Sequence, residues 1–257
     1  MRETDLDLLI RAARAAGQTA CAFVGQELGV RDKDDGQGPV TQADLAVNDR
    51  LEQILRDARP HYGWLSEESI DDPARLTQDT VFVIDPIDGT RSFIEGARTW
   101  AHSLAIVRDG VTTAAVVFLP LLDRLYSAQQ GMGAQMNGAP IAASARGDIE
   151  GADLLATKPV MAAEHWRGAV PQVTRHHRPS LAYRQCLVAE GRFDAMLTLR
   201  ATWEWDIAAG ALILSESGAR VSDRRGSALR FNAPHPQTNG MVAANPALHD
   251  GLLQRLA

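Results

Sequence analysis

Apolar residues recur at helical spacing between residues 4 and 28, at Leu6, Leu9, Ile10, Ala13, Ala20, Phe23, Val24 and Leu28. Thr4 followed by Asp7 predicts the N-terminal cap. A polar, Gly-rich stretch, "RDKDDGQGPV", interrupts the pattern. It resumes over 41–60, "TQADLAVNDRLEQILRDARP", as a second helix with Thr41 as cap, Leu45, Leu51, Ile54 and Leu55 on one face, and Pro60 closing it. The period then changes. "GWLSEES" predicts a short strand running into acids, and "VFVID" a strand by its β-branched and aromatic content. "SLAIVRDGVTTAAVVFLP" predicts two strands around an Asp109-Gly110 turn. "RLYSAQQ" and "GAQMNGAPI" predict further strands, with a turn at Asn137-Gly138.

Beyond about residue 150 strands and helices alternate. "DLLATK" reads as a strand, "SLAYRQCLVAEG" as a helix capped by Gly191, and "FDAMLTL" as a strand. "DIAAGALILSESGA" reads as a helix ended by Gly218, and "GMVAANP" as a strand before a last helix. The expectation is a mixed α+β and α/β chain in two halves. Residues 1–145 would form an N-terminal half with an antiparallel sheet, and 146–257 a C-terminal α/β half.

At 257 residues the chain is long enough for a sizeable core, and 45% hydrophobic with 23% charged residues is the balance of a soluble globular protein. A net charge of −6 argues against nucleic acid or an anionic membrane as main partner. Cys21 and Cys186 sit among apolar residues as reduced core cysteines do, and no zinc-type spacing is present. No apolar run reaches the roughly 18 residues of a membrane span. With no apolar signal core near the N-terminus, the expected location is cytoplasmic.

The chemistry lies in acids at the ends of elements. In "VFVIDPIDGT" a buried-looking strand ends on Asp85 and Asp88. Asp-Pro and Asp-Gly are also plain turn dipeptides, so a turn stands beside a site as a reading. The two acids are three positions apart and would face opposite ways in a continuing strand. Pro86 is expected to end the ladder and let the chain bring the carboxylates together. Carboxylates so placed repel one another unless a cation lies between them, which favours a shared metal over a covalent aspartyl intermediate. "SEES" adds Glu67 and Glu68, read alternatively as a solvated face. "TWEWDIAAG" adds Asp206, read alternatively as a helix N-cap. All-oxygen donors without His or Cys point to Mg²⁺, and several carboxylates to more than one ion.

"WLSEES", "DPIDGTRSF" and "WEWDIAAG", in this order, resemble the G-E-E, D-P-[IL]-D-G-T-x-x-F and W-D-x-A-A-G patterns of the inositol monophosphatase superfamily. The resemblance covers nearly the whole chain. It implies a layered αβαβα sandwich, two to three Mg²⁺ ions, lithium sensitivity and, in many members, a homodimer. Carried over residue by residue, Glu67, Asp85 and the carbonyl of Ile87 would hold one ion. Asp85, Asp88 and Asp206 would hold a second, and Glu67 would reach a third. Gly89 and Thr90 would offer backbone N–H groups to the phosphate. The Thr90 hydroxyl, paired with Asp44, would orient and deprotonate the attacking water. Asp44 is also a first-turn acid of the second helix. Lys33 matches a family lysine near the metals and is read otherwise as a solvated loop charge.

The acid that inositol-specific members carry seven residues before the W-D aspartate is here Leu199. "CLVAEG" before "TWEWDIAAG" looks closer to the 3′(2′),5′-bisphosphate nucleotidase branch. There Arg91, Arg184 and Arg200 could meet a second phosphate; read otherwise they are surface arginines. The expected activity is Mg²⁺-dependent hydrolysis of a small phosphate monoester, leaning to adenosine 3′,5′-bisphosphate over inositol 1-phosphate. The rival from another class is a non-catalytic role on the transcription machinery. Asp88→Asn is expected to leave the metal-free protein as stable as before, or slightly more so. His176 and His177 read as a surface loop, and Trp203 and Trp205 as packing.

Overall fold

The computed structural model describes residues 3–33 and 38–257; part of the Gly-rich stretch, 34–37, lies outside them. The first predicted helix forms as α1 (Asp5–Cys21), with the Thr4 hydroxyl accepting from the Asp7 amide. It stops well short of residue 28. The Phe23 and Val24 amides turn back to the Ala20 and Cys21 carbonyls, tightening the end, and Val24 is left exposed. The second forms as α2 (Gln42–Ala58), capped by Thr41 and ended at Arg59. Leu45 does not join the buried face. Ala43, Val47, Leu51, Ile54 and Leu55 make that stripe, and Leu45 is turned away from it and exposed.

A seven-stranded sheet follows in chain order: Gly63–Ser66, Thr80–Asp88, Ala101–Arg108, Val111–Leu119, Arg124–Gln129, Ala134–Met136 and Ala139–Pro140. Its first pair is parallel and the rest antiparallel. Within it lies a five-residue helix, α3 (Thr90–Ile94). The predicted turns hold, with Asp109 at φ 50° and Asn137 at φ 51° before their glycines. The second sheet is mixed. Its spatial order is Thr174–His176, Asp153–Ala156, Ala195–Thr198, Met241–Ala244 and Arg220–Ser222. Helices α4 (Leu181–Ala189) and α5 (Glu204–Glu216) lie between the sheets, and α6 (Pro246–Arg255) covers the far face.

Three cores give the layering. Helices α1 and α2 meet one face of the seven-stranded sheet through Leu8, Leu51, Phe82 and Ile84. Its other face, through Val81, Val83 and Ala105, shares a core with α4, α5 and Met196 and Ala243 of the second sheet. Leu154, Leu197 and Val242 face α6 residues Leu248 and Leu252. The order is α-β-α-β-α, as the family resemblance implied.

This layering explains why Thr80–Asp88 is buried along its whole length. Both faces are covered, so its side chains alternate between two cores instead of between core and water. Residues 81 and 83 face α4 and α5, and Asp85 continues that row. Leu65 of the neighbouring strand faces the same way, so Glu67 does too. The α4–α5 contact is close. A Cβ on Gly210 would collide with the Gln185 side chain, standing 2.6 Å from its Cβ, so only glycine fits there. Among the described residues no helix is long and apolar enough to cross a membrane.

Candidate active site

The ladder does not end at Pro86. It continues to Asp88 through a bulge: Asp85 pairs with Ser103 and Asp88 with Ala101, leaving Pro86 and Ile87 opposite His102 alone. The extra residue shifts the alternation by one. Asp88 therefore returns to the face of Asp85, toward α4 and α5. The expected convergence is reached by a slipped register and not by a broken strand, because a bulge can house the missing proline N–H.

Glu67 follows the parallel neighbour strand, with its amide on the Ile84 carbonyl at 3.2 Å. Asp206 comes from the opposite layer. It sits in the first turn of α5 and is not the N-cap, which is Trp203. The Ser103 hydroxyl donates to the Trp205 carbonyl at 3.1 Å, and Gln185 Nε2 to the Asp206 carbonyl at 2.8 Å, fixing this turn against sheet and α4. Carboxylate oxygens of Glu67, Asp85 and Asp206 lie within 4.8 Å of one another. Asp85 is buried, and its Oδ1 has no hydrogen-bond partner among the described residues.

Such a cluster is costly as anions. Burial first, then the charges of Glu67, Asp88 and Asp206, pushes the Asp85 carboxyl well above the usual range. Burial, then Asp88 and Glu67, does the same to Asp206. Three convergent carboxylates with an unsatisfied buried oxygen and no His or Cys form an all-oxygen donor set, which fits a hard divalent cation.

Asp88 adjoins this trio, but its oxygens are engaged elsewhere. Its Oδ2 accepts from the Ser180 hydroxyl at 2.5 Å and the Ala182 amide at 2.6 Å, and its Oδ1 from the Leu181 amide at 3.2 Å. It therefore closes the N-terminus of α4, alongside the N-cap Ser180. Burial still raises its carboxyl, with these hydrogen bonds opposing. The expectation that Asp88→Asn leaves the metal-free protein untouched does not fit these three donors. Ser180 escaped the sequence reading. Its place before "LAYRQC" signals a cap, but nothing in the sequence ties it to a residue 92 positions away.

Asp44 occupies both places proposed for it. Its Oδ2 accepts from the Thr41 amide in a capping box, and its Oδ1 from the Thr90 hydroxyl at 3.1 Å. The same hydroxyl lies 3.2 Å from the Ile87 carbonyl. Burial raises the Asp44 carboxyl, with the Thr41 and Thr90 hydrogen bonds opposing. Gly89, at φ 99°, heads α3.

Lys33 and Glu68 are not solvated. Lys33 Nζ lies 2.8 Å from both Glu67 Oε1 and Glu68 Oε1, and the Glu68 side chain is 5% exposed. Burial, followed by the charge of Glu67, holds the Glu68 carboxyl at about 7. Beneath this turn, Ser66 donates to Asn48 Oδ1 at 2.7 Å, and Asn48 and the Trp64 indole both donate to Ser69. Ser66, standing where the resembled G-E-E pattern has its glycine, thus braces the acidic turn against α2.

The arginines divide. Arg184 is buried and spends its donors on the loop before α4, at the Arg178 and Pro179 carbonyls and His177 Nε2. Its charge neighbours are Asp88, Arg200 and Asp206. Arg200 is exposed. Arg91 is exposed on α3 with its guanidinium beside Gly38. Leu199 is buried in the α6-side core, so no carboxylate stands there. His177 is an exposed loop residue, as expected, that bonds to Arg184, whereas His176 ends a strand and pairs with Asp153. Trp203 and Trp205 stack at 4.7 Å.

The sequence profile of the inositol monophosphatase family matches residues 1–257. An inositol-1-monophosphatase of Mesorhizobium japonicum is 30% identical, over 98% of this chain and 96% of its own. The Nus factor SuhB of Escherichia coli K12 is 30% identical over 98% and 95%, and a histidinol-phosphatase of Mycobacterium tuberculosis 32% over 100% and 99%. Among solved structures, the Thermotoga maritima IMPase superposes with a TM-score of 0.82 at 27% identity, covering 97% of this chain and 95% of that one.

Proposed function

The chain belongs to the inositol monophosphatase family, and from that premise we propose that it is a cytoplasmic, Mg²⁺-dependent phosphatase of small phosphate monoesters. The carrying observation is the trio Glu67, Asp85 and Asp206, drawn from three elements to within 4.8 Å, with Asp85 Oδ1 unpaired. These three would hold the cation, with the Ile87 carbonyl and Asp88 nearby; two to three ions suit the number of acids. Bound there, divalent ions supply positive charge against the phosphoryl oxygens and the attacking and leaving oxygens.

The remaining work falls to the chain itself. The Thr90 hydroxyl donates its hydrogen bond to Asp44, so its lone pairs are free to accept a hydrogen bond from a water and aim it. Asp44, its carboxyl raised by burial, is suited to receive the proton passed through Thr90. The Gly89 and Thr90 amides, at the turn into α3, would face the phosphate. The reaction is an in-line displacement without a phosphoenzyme.

For the leaving group we favour one with a second anionic centre, adenosine 3′,5′-bisphosphate before inositol 1-phosphate. Arg200 is exposed and Arg184 is its charge neighbour beside Asp88 and Asp206, while Leu199 offers no acceptor for a sugar hydroxyl. The same cations disfavour the amine-bearing ester of the histidinol-phosphatase relative. A purely non-catalytic role leaves the costly acid trio without a use.

Phosphate release should be measured with all three esters, in Mg²⁺, in EDTA and with lithium. We expect the bisphosphate to turn over fastest, EDTA to abolish activity and lithium to inhibit. Activity unchanged in EDTA overturns the metal reading, and inositol 1-phosphate turning over faster overturns the substrate preference. Arg200→Ala should raise KM for the bisphosphate about tenfold and leave inositol 1-phosphate unaffected.

A further inference from the structure

The bulge at Pro86–Ile87 has a single residue opposite it, His102. A bulge interrupts the ladder and leaves a backbone group to be satisfied by other means. His102 does this for one of them. Its Nδ1 bonds to the Pro86 carbonyl. A carbonyl only accepts, so Nδ1 carries the proton.

The surroundings make this an expensive choice of side chain. His102 is fully buried on the α1/α2 face of the sheet, against Trp100 at 5.5 Å and Phe118 at 6.3 Å. Its Nε2 has no partner among the described residues. Burial lowers its pKa to about 4, so it is neutral at ordinary pH. An apolar side chain of similar volume would suit this pocket better, since it leaves no buried polar atom unpaired. The hydrogen bond to Pro86 is the one contact that an apolar residue would forfeit. The acids lie on the opposite face, so His102 acts on them only through the backbone it holds. That backbone includes the Ile87 carbonyl, which also meets the Thr90 hydroxyl.

We propose that His102 is a positioning residue. Its Nδ1–H locks the Pro86 carbonyl, and with it the bulge that turns Asp85 and Asp88 onto one face, so that the acids are pre-set for a divalent cation. This rests on the metal-holding reading of the acids.

The test compares His102→Leu, similar in volume but without a donor, with His102→Asn, whose amide can place a donor near the position of Nδ1. Mn²⁺ affinity is measured by calorimetry on full-length protein, with thermal unfolding in EDTA alongside. The leucine variant should fold, unfold within a few degrees of the parent in EDTA, and bind Mn²⁺ about 10- to 100-fold more weakly. The asparagine variant should recover most of that loss. Parent-like Mn²⁺ affinity in the leucine variant, or an asparagine variant as weak as leucine, overturns the proposal. Should leucine not fold, His102→Val serves in its place under the same criteria. A parent protein that binds no Mn²⁺ overturns the metal reading itself, and this inference with it.

Discussion

Replacing Lys33 by methionine tests whether the acidic turn depends on cationic charge. The ammonium lies 2.8 Å from both Glu67 and Glu68, with the Lys33 side chain 14% exposed and that of Glu68 5%. Removing one partner of a buried pair costs about 3–5 kcal/mol, because the other charge is left without compensation. The partial exposure of Glu67 places this case at the lower end, about 3 kcal/mol. In a chain of this size that lowers the melting midpoint by roughly 6–12 °C.

The pH dependence has a definite sign. Against the opposing effect of burial, Glu67 and Glu68 hold the Lys33 pKa above its usual value of 10.5, so lysine is charged throughout pH 5–8. The Glu68 carboxyl is raised to about 7 from 4.5. A carboxyl raised on folding contributes stability that is fully present below pH 4.5 and lost as pH climbs through 7. The deficit of the variant should thus be largest at pH 8, where Glu68 is ionised, and roughly halve by pH 5, where it is protonated. Saturating Mg²⁺ should narrow the gap at pH 8 by supplying the missing positive charge. The assay is denaturant unfolding of parent and variant in EDTA at both pH values, repeated at pH 8 in Mg²⁺. Equal midpoints at pH 8 in EDTA would refute the reasoning, as would a deficit of the same size at pH 5.

Two further outcomes follow from named contacts. Asp88→Ala should lower the stability of the EDTA-treated protein by about 2 kcal/mol, since three donors at the start of α4 lose their acceptor while a buried carboxylate is relieved; an unchanged urea midpoint would contradict it. Thr90→Val should reduce kcat by about 10²–10⁴ with KM held within about threefold, because it removes the hydroxyl relay to Asp44 and no substrate anchor; a loss carried by KM alone in steady-state kinetics would contradict it.

Much of this molecule is legible along the chain. Periodicity of 3.6 marks α1 and α2, and glycine after Asp109 and Asn137 marks the hairpin turns, because these are local consequences of backbone geometry. The motif acids are legible too, since Glu67, Asp85 and Asp206 each lie in a short acidic motif at or near the boundary of an element, where side chains from different layers can meet. Other features needed the third dimension. The sequence expects a broken ladder at Pro86, whereas pairing with Ala101 and Ser103 carries the strand on through a bulge. It leaves solvent open as a reading for Lys33 and for Glu68 and does not pair the two, whereas folding brings them together. It reads Asp88 as a turn residue or a ligand, whereas α4, more than ninety residues on, claims its oxygens. Local propensity and side-chain alternation act over a few residues and can be read from order alone. Hydrogen bonds and charge pairs depend on which distant segments the layers press together, and that is decided only when the cores of the two sheets close around α4 and α5.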